Sequence, residues 1–170
     1  MERFDVRRGL IKELGGSGGL SALAKEFFDE VNSPSDHAFE ASHGVMTSIE
    51  ARYENGAMIV DITNVPPNFE DPEAMKSAME DRKRWTAFLD KATGYNSKQR
   101  GDKAKEWAKK ASKAKSAISA AKHFMELSES IPGEKKEQAE SLIEEIENLL
   151  DANDNTKAAG RAQKLNKMFN

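Results

Sequence analysis

The side chains best placed to bind another molecule are the basic residues between Lys98 and Lys122. This stretch holds nine basic and two acidic side chains, a net charge of +7, although the whole chain carries −3. Lysines and arginines at this density bind the phosphates of nucleic acids, and neutralising several phosphates makes such binding strongly salt-dependent. Tyr95 is an aromatic side chain of the kind that stacks on unpaired bases, and Arg100 carries a guanidinium of the kind that forks around phosphates. The predicted contact comprises Tyr95, Lys98, Arg100, Lys103, Lys105, Lys109, Lys110 and Lys113.

An acidic segment later in the chain offers these lysines a partner inside the molecule. Residues 134–151 carry six glutamates, at positions 134, 137, 140, 144, 145 and 147. Ion pairs with this segment would make the lysines structural or simply solubilising, with little left for a nucleic acid. The sequence leaves both interpretations open.

Patterns of catalytic and metal-binding residues are missing from the sequence. The chain has no cysteine, which excludes disulfides, thiol catalysis and cysteine-ligated metals. His37, His43 and His123 lack the spacing of metal ligands, and no GxSxG motif occurs. The glycine-rich run 15–19 precedes a predicted helix but lacks a P-loop lysine, so it predicts a flexible connector. We therefore expect a non-catalytic protein without a metal or cofactor.

The residues before the basic stretch predict a small α+β domain. Alternation at Phe4 and Val6 predicts a first strand. Apolar residues at three- and four-residue spacing predict a helix over residues 20–31, which the segment 32–35 with Pro34 ends. Alternation at 39, 41 and 43 predicts a further strand, and Gly44 predicts a turn or a bulge. Val65-Pro66-Pro67 closes the predicted sheet, because proline cannot donate to a strand ladder.

Asn55-Gly56 is the clearest β signal. This dipeptide favours a type I′ hairpin, since both central residues need positive φ. A two-residue loop there pairs Ile49, Ala51 and Tyr53 with Ile62, Val60 and Met58 on one apolar face. The intervening pairs are mostly polar, so the turn type and the face pattern predict one register.

Long helices are predicted for the rest of the chain. Asp71-Pro72 has the residues of a helix start and Gly94 those of a helix end. Ser97 is the predicted N-cap of the next helix, whose apolar positions repeat every three or four residues at Ala104, Trp107, Ala111, Ala114, Ile118, Ala121 and Met125. Two shorter helices follow and complete a small bundle. The predicted fold is thus an α+β domain over 1–97, an antiparallel sheet with two helices on one face, and a helical extension over 98–170. The extension consists of a long basic helix and an acidic helical hairpin.

One segment near the middle of the chain resembles a known family. Its residues are Trp85, Phe88, Leu89, Ala92, Thr93, Gly94 and Tyr95, followed by Ser97, Lys98 and Arg100. This signature is similar to the end of a small archaeal domain of unknown function with a fold like that of the TATA-box-binding protein (TBP). The resemblance covers about residues 1–103 and implies a curved antiparallel sheet with two helices on one side. It implies no particular activity.

Two functions are compatible with this sequence. The first is contact with RNA or a ribonucleoprotein through the basic helix 98–122. The alternative is a protein-interaction module that uses the C-terminal helices or the open face of the sheet. We expect no membrane span, because the apolar runs are short, and a cytoplasmic location, because the first residues are charged. The oligomeric state stays open.

Overall fold

The computed structural model describes all residues, Met1–Asn170, as two compact units that comprise residues 1–104 and 105–170. The first unit contains strands β1 (Glu2–Asp5), β2 (Asp29–Ser35), β3 (Ala38–His43), β4 (Met46–Glu54) and β5 (Ala57–Asn64). Its helices are α1 (Leu10–Gly15), α2 (Gly19–Lys25) and α3 (Pro72–Thr93). Helix α4 (Ser97–Leu127) begins in this unit, and α5 (Gly133–Asp151) and α6 (Asn155–Phe169) lie in the second. The division therefore falls within α4, later than the expected boundary between residues 97 and 98.

The five strands form one antiparallel sheet in the order β1-β5-β4-β3-β2. The predicted hairpin register is confirmed, since Tyr53 pairs with Met58 and Ile49 with Ile62. Asn55 and Gly56 have φ angles of 50° and 76°, as a type I′ turn requires. The sequence therefore places the side chains of residues 48–54 and 57–63 on their observed faces, and the register shifts between Met46 and Ser48.

The helix predicted over residues 20–31 is wrong in its second half. Helix α2 ends at Lys25, and Asp29–Ser35 forms β2 at the edge of the sheet. The apolar spacing joined helical residues to Phe28, which follows α2, and to Val31, which belongs to β2. Pro34 fits an edge strand because no interior ladder bond is lost there. The pairing of β2 with β3 has two register irregularities.

The glycine-rich run ends α1 and turns the chain into α2. Gly19 has a φ of +71°, and a Cβ on it would lie 2.3 Å from the carbonyl oxygen of Asp36. The backbone N–H of Leu20 donates to that same oxygen at 2.8 Å. Only glycine permits this approach, so the run is a fixed turn and not merely a connector.

The core of the first unit is aromatic. Phe28, Phe39 and Phe88 are buried, and Phe88 lies 4.9 Å from Phe28 and 5.5 Å from Phe39 between ring centroids. Trp85 stacks on Phe88 at 5.4 Å. These rings fill the space between the sheet and helices α2 and α3. The predicted α+β class with an antiparallel sheet is confirmed, and this unit has three helices, α1, α2 and α3, where two were predicted.

The caps of α3 are as predicted, and the cap of α4 is not. The Asp71 carboxylate accepts a hydrogen bond from the Glu73 N–H at 3.0 Å, and Gly94 ends α3 with a φ of 72°. At α4, the Asn96 side chain accepts from the Gln99 N–H at 2.9 Å, and the Gln99 side chain accepts from the Asn96 N–H at 3.0 Å. This reciprocal capping box makes Asn96 the N-cap instead of Ser97.

The second unit is a three-helix bundle with a core of small residues. From α4, the buried residues are Ala114, Ala117, Ile118, Ala121 and Met125. Ala104, the first of the repeating apolar positions predicted for this helix, lies at the end of the first unit and is exposed. Lys122 pairs with Glu147 on the antiparallel α5 at 2.9 Å. The α6 residues that complete the core are Ala158, Ala162 and Leu165. None of the helices in the chain is both long and apolar enough to span a membrane.

Candidate nucleic-acid interface

The predicted contact begins at the turn between α3 and α4, and here Arg100 is buried. Its side chain is 7% exposed, and its Nη1 donates to the Asp90 carboxylate and to the Tyr95 carbonyl. Its Nη2 donates to the Ser97 hydroxyl at 3.0 Å. The guanidinium therefore ties the end of α3 to the start of α4, and its predicted role as a phosphate fork does not fit this position.

Tyr95 is half-buried in the same turn. The Lys103 ammonium lies 6.0 Å from the centroid of the Tyr95 ring, within the range of a cation–π contact. The Tyr95 N–H donates to the Thr93 hydroxyl at 3.2 Å. Tyr95 and Lys103 thus form a pair, and exposed Lys98 lies nearby in sequence without an ion pair or a hydrogen bond.

In the second unit, α4 carries what we call the lysine file, Lys105, Lys109 and Lys113. Four-residue spacing places these side chains on one flank of the helix. All three are exposed, and Lys109 and Lys113 have neither an ion pair nor a hydrogen bond. Lys110 points elsewhere, since it is half-buried and donates to the Thr156 hydroxyl of α6 at 3.2 Å. The structure thus separates Lys110 from the other predicted lysines of this unit.

No carboxylate of the acidic helix α5 pairs with Lys109 or Lys113. Glu147 pairs with Lys122, near the other end of α4, and Glu145 pairs with Arg161 of α6 at 2.6 Å. Neither Lys109 nor Lys113 has a carboxylate within 4.0 Å. The intramolecular alternative from the sequence therefore applies to Lys122 and not to Lys109 or Lys113.

A family model for a domain of unknown function, DUF5611, matches residues 1–106. The chain belongs to this family. No curated protein and no solved structure matches the chain. The DUF5611 match ends inside α4, so it includes Tyr95, Lys98, Arg100, Lys103 and Lys105 and excludes the rest of the lysine file.

The open face of the DUF5611 sheet carries a row of acids. Glu40 pairs with Glu50, and Glu50 pairs with Asp61, so three carboxylates stand opposite one another across β3, β4 and β5. Like charges directly opposite in a sheet repel. Such a row disfavours phosphates on this face.

Two features of the DUF5611 domain were missed by the sequence analysis. The first is a buried carboxylate, Asp81, whose Oδ2 accepts from the Val45 N–H at 3.0 Å. His43 lies between Asp81, at 3.5 Å, and Asp29, at 2.8 Å. Through its hydrogen bond with Val45, Asp81 holds the β3–β4 turn. No group of three His, Cys, Asp or Glu residues is placed to hold a metal ion.

The second is a cavity of about 490 Å³ at one end of the sheet. Its wall includes Met75, Met79 and Trp85, which lie at helical spacing on α3. In the structure Met79 is 60% exposed, and Trp85 is half-buried. Helical periodicity identifies the face of α3 that turns toward the sheet. Whether other parts of the protein cover all of that face depends on tertiary packing.

Proposed function

We propose that this protein contacts RNA or a ribonucleoprotein through the exposed flank of α4, without catalysing a reaction. The observation that carries the proposal is that Lys109 and Lys113 are exposed and unpaired beside Lys105. An exposed lysine without a protein carboxylate keeps its full charge for a phosphate. Tyr95 and Lys103, paired in the first unit, are a further candidate for contact with an unpaired base.

We also propose that the DUF5611 domain has a TBP-like fold. The order of one strand, short helices, four strands and a long helix, with α2 and α3 on one face of a single sheet, supports this assignment. The row of Glu40, Glu50 and Asp61 argues against use of the sheet as a nucleic-acid saddle. A cytoplasmic setting suits a chain without cysteines.

Charge reversal of the lysine file tests the proposed function. We expect Lys105→Glu/Lys109→Glu/Lys113→Glu to weaken binding of a fluorescein-labelled single-stranded RNA at least tenfold, measured by anisotropy between about 50 and 200 mM salt. Losing three phosphate contacts lowers the slope of log Kd against log salt by about two.

A second triple variant provides the matched control. Lys136→Glu/Lys164→Glu/Lys167→Glu changes three exposed lysines of the same unit and the same total charge. If binding depends on where the lysines lie and not only on the total charge, the RNA affinity of this control stays close to that of the parent. Equal losses in the two triple variants, or the absence of RNA binding by the parent, contradict the proposal.

The alternative is a protein-interaction module that uses the C-terminal helices. Leu127 is 72% exposed and Phe124 44% exposed near the end of α4, where large apolar side chains favour contact with a protein. Under this alternative, Phe124→Ser/Leu127→Ser abolishes binding of a purified partner, whereas reversal of the lysine file does not.

A further inference from the structure

The cavity of the first unit has the size and lining of a binding pocket. Its volume of about 490 Å³ lies within the range of ligand sites. Methionines from a strand and from α3 contribute to its wall, and their flexible side chains adapt to different occupants. The apolar side chains of the wall are Val45, Met46, Ile62, Val65, Pro66, Pro67, Phe69, Met75, Ala78, Met79 and Trp85.

The rim of this cavity is apolar as well. Phe69 is 74% exposed, Met79 60% and Val65 51%. A small molecule inside the cavity would leave these rim side chains in water. Clustered exposed apolar side chains mark surfaces that bind a larger partner. The rim therefore favours a polypeptide over a small ligand.

An unpaired strand edge runs beside the cavity. Strand β1 pairs with residues 57–60 of β5, and the Met1 ammonium lies 3.8 Å from the Asp61 carboxylate, so residues 62–64 have no partner strand on that side. In the β4–β5 hairpin the residues next to the turn form a hydrogen-bonded pair, and the pairs then alternate. By this alternation the N–H and C=O of Ile62 point away from β4, toward the open edge.

The register shows where the side chains of an added strand would go. Residues directly opposite each other in adjacent strands share a face of the sheet. Glu2 pairs with Val60 and lines the cavity, which shows that this position of β1 faces it. A residue opposite Ile62 would face the same way, since Ile62 and Val60 are two residues apart.

One wall residue indicates the charge of the occupant. Arg82 lines the cavity, is exposed and has no ion pair. A guanidinium next to an apolar surface favours a carboxylate on the incoming chain. Glu2 is the other charged wall residue, so an acid in the occupant is expected on the Arg82 side.

We infer that the first unit binds an extended peptide that adds as a strand to residues 62–64 of β5. The peptide places alternate apolar side chains in the cavity and a carboxylate at Arg82. This mode of recognition combines main-chain hydrogen bonds with pockets for alternate side chains. It is independent of the proposed RNA contact, which uses α4.

Selection from random octapeptides displayed on phage tests the sequence preference. The expected result is enrichment of peptides with apolar residues two positions apart and a nearby acid. The full chain is the bait, and Met79→Glu is the counter-selection, because this exposed residue can change without loss of the core. No enrichment, or an apolar spacing of three and four residues as in a helix, overturns the inference.

A backbone scan of the selected peptide tests strand addition itself. N-methylation of alternate residues removes donors to β5 and lowers affinity about threefold to tenfold for each, whereas methylation of the intervening residues has little effect. Emission of Trp85 in a Trp107→Phe variant reports binding, because Trp85 lines the cavity. Equal sensitivity at all peptide positions contradicts the inference.

Further experiments distinguish the proposed peptide from other occupants of the cavity. Arg82→Glu removes the preference for an acid, and Lys83→Glu, an exposed neighbour outside the cavity, retains it. Saturable binding of octanoate with the same affinity as the peptide points to a small ligand and overturns the inference. The inference is also overturned if the parent protein is a dimer and Met79→Glu makes it a monomer, because a second copy of the chain then covers the rim.

Discussion

The two units bury their hydrophobic residues in opposite ways. The first packs large rings, with Phe28, Phe39 and Phe88 within 6 Å of one another between neighbouring centroids. The second packs alanines, among them Ala114, Ala121 and Ala158, between three helices. Large rings remove much apolar area from water per residue, whereas alanines let helix backbones approach closely. The first core is therefore sensitive to lost volume and the second to added volume.

Phe88→Ala is the change with the largest expected effect. The ring is fully buried and contacts Phe27, Phe28, Phe39 and Trp85, so its removal leaves a cavity. We expect a loss of about 3–5 kcal/mol in the free energy of unfolding. Urea denaturation of a Trp107→Phe background, followed through Trp85, measures it.

Phe124→Ala is the matched control for this change. The side chain is 44% exposed in the second unit, so the same truncation there costs about 1 kcal/mol or less. If the two variants lose equal stability, the aromatic core is not the main source of stability in the first unit.

Ala121→Leu tests the second core in the opposite direction. Ala121 is 4% exposed between the helices, and a larger side chain there forces the backbones apart. The expected loss is about 1–3 kcal/mol, measured by urea denaturation followed by circular dichroism. Ala120→Leu, at the exposed neighbouring position, should be close to neutral. A stabilised Ala121→Leu variant would show that the bundle has unfilled space.

Tyr53→Phe gives the smallest effect and a specific pH signature. The Tyr53 hydroxyl donates to the Ala92 carbonyl at 2.6 Å, and its loss costs about 1 kcal/mol at neutral pH. Burial raises the pKa of Tyr53 above its usual value. Above about pH 10 the unfolded chain ionises this group while the folded chain keeps the proton, so stability falls as the pH rises.

If burial of Tyr53 causes the fall in stability at high pH, only substitution of Tyr53 removes it. The slope reaches at most about 1.4 kcal/mol per pH unit, and the Tyr53→Phe variant lacks this contribution. Tyr95→Phe serves as the control, because it removes the other tyrosine of the chain. Thermal denaturation between pH 8 and about pH 11 compares the variants, and identical slopes for both would rule out Tyr53 as the source.

The parts of the fold that the sequence predicted correctly depend on local chemistry. Asn55-Gly56 has the positive φ angles of its turn type, and Asp71-Pro72 and Gly94 carry the groups that start and end α3. Turns and helix ends depend on a few adjacent residues, so the local sequence is enough to predict them. The error at residues 26–35 has another cause. There Phe28 and Val31 pack on distant rings and strands, and spacing alone made them look like one helical face.

The candidate site was predictable in composition and not in geometry. The number of charged residues located the basic stretch of α4. It could not show that Arg100 is buried against Asp90, because a buried arginine and an exposed one have the same charge in the sequence. Its burial depends on the turn at Tyr95, whose carbonyl it reaches. Lys110 and Lys109 are likewise adjacent in sequence, and only the packing of α6 shows that Lys110 turns toward Thr156.

The irregular strand β2 has a consequence for the behaviour of the protein at high concentration. Its two register breaks and Pro34 interrupt the row of free amide groups, which disfavours edge-to-edge pairing between copies of the sheet there. Natural sheets resist fibrous aggregation by such devices. At the other edge, the open part of β5 lacks this protection. We therefore expect a concentrated sample to aggregate through β5 before it aggregates through β2.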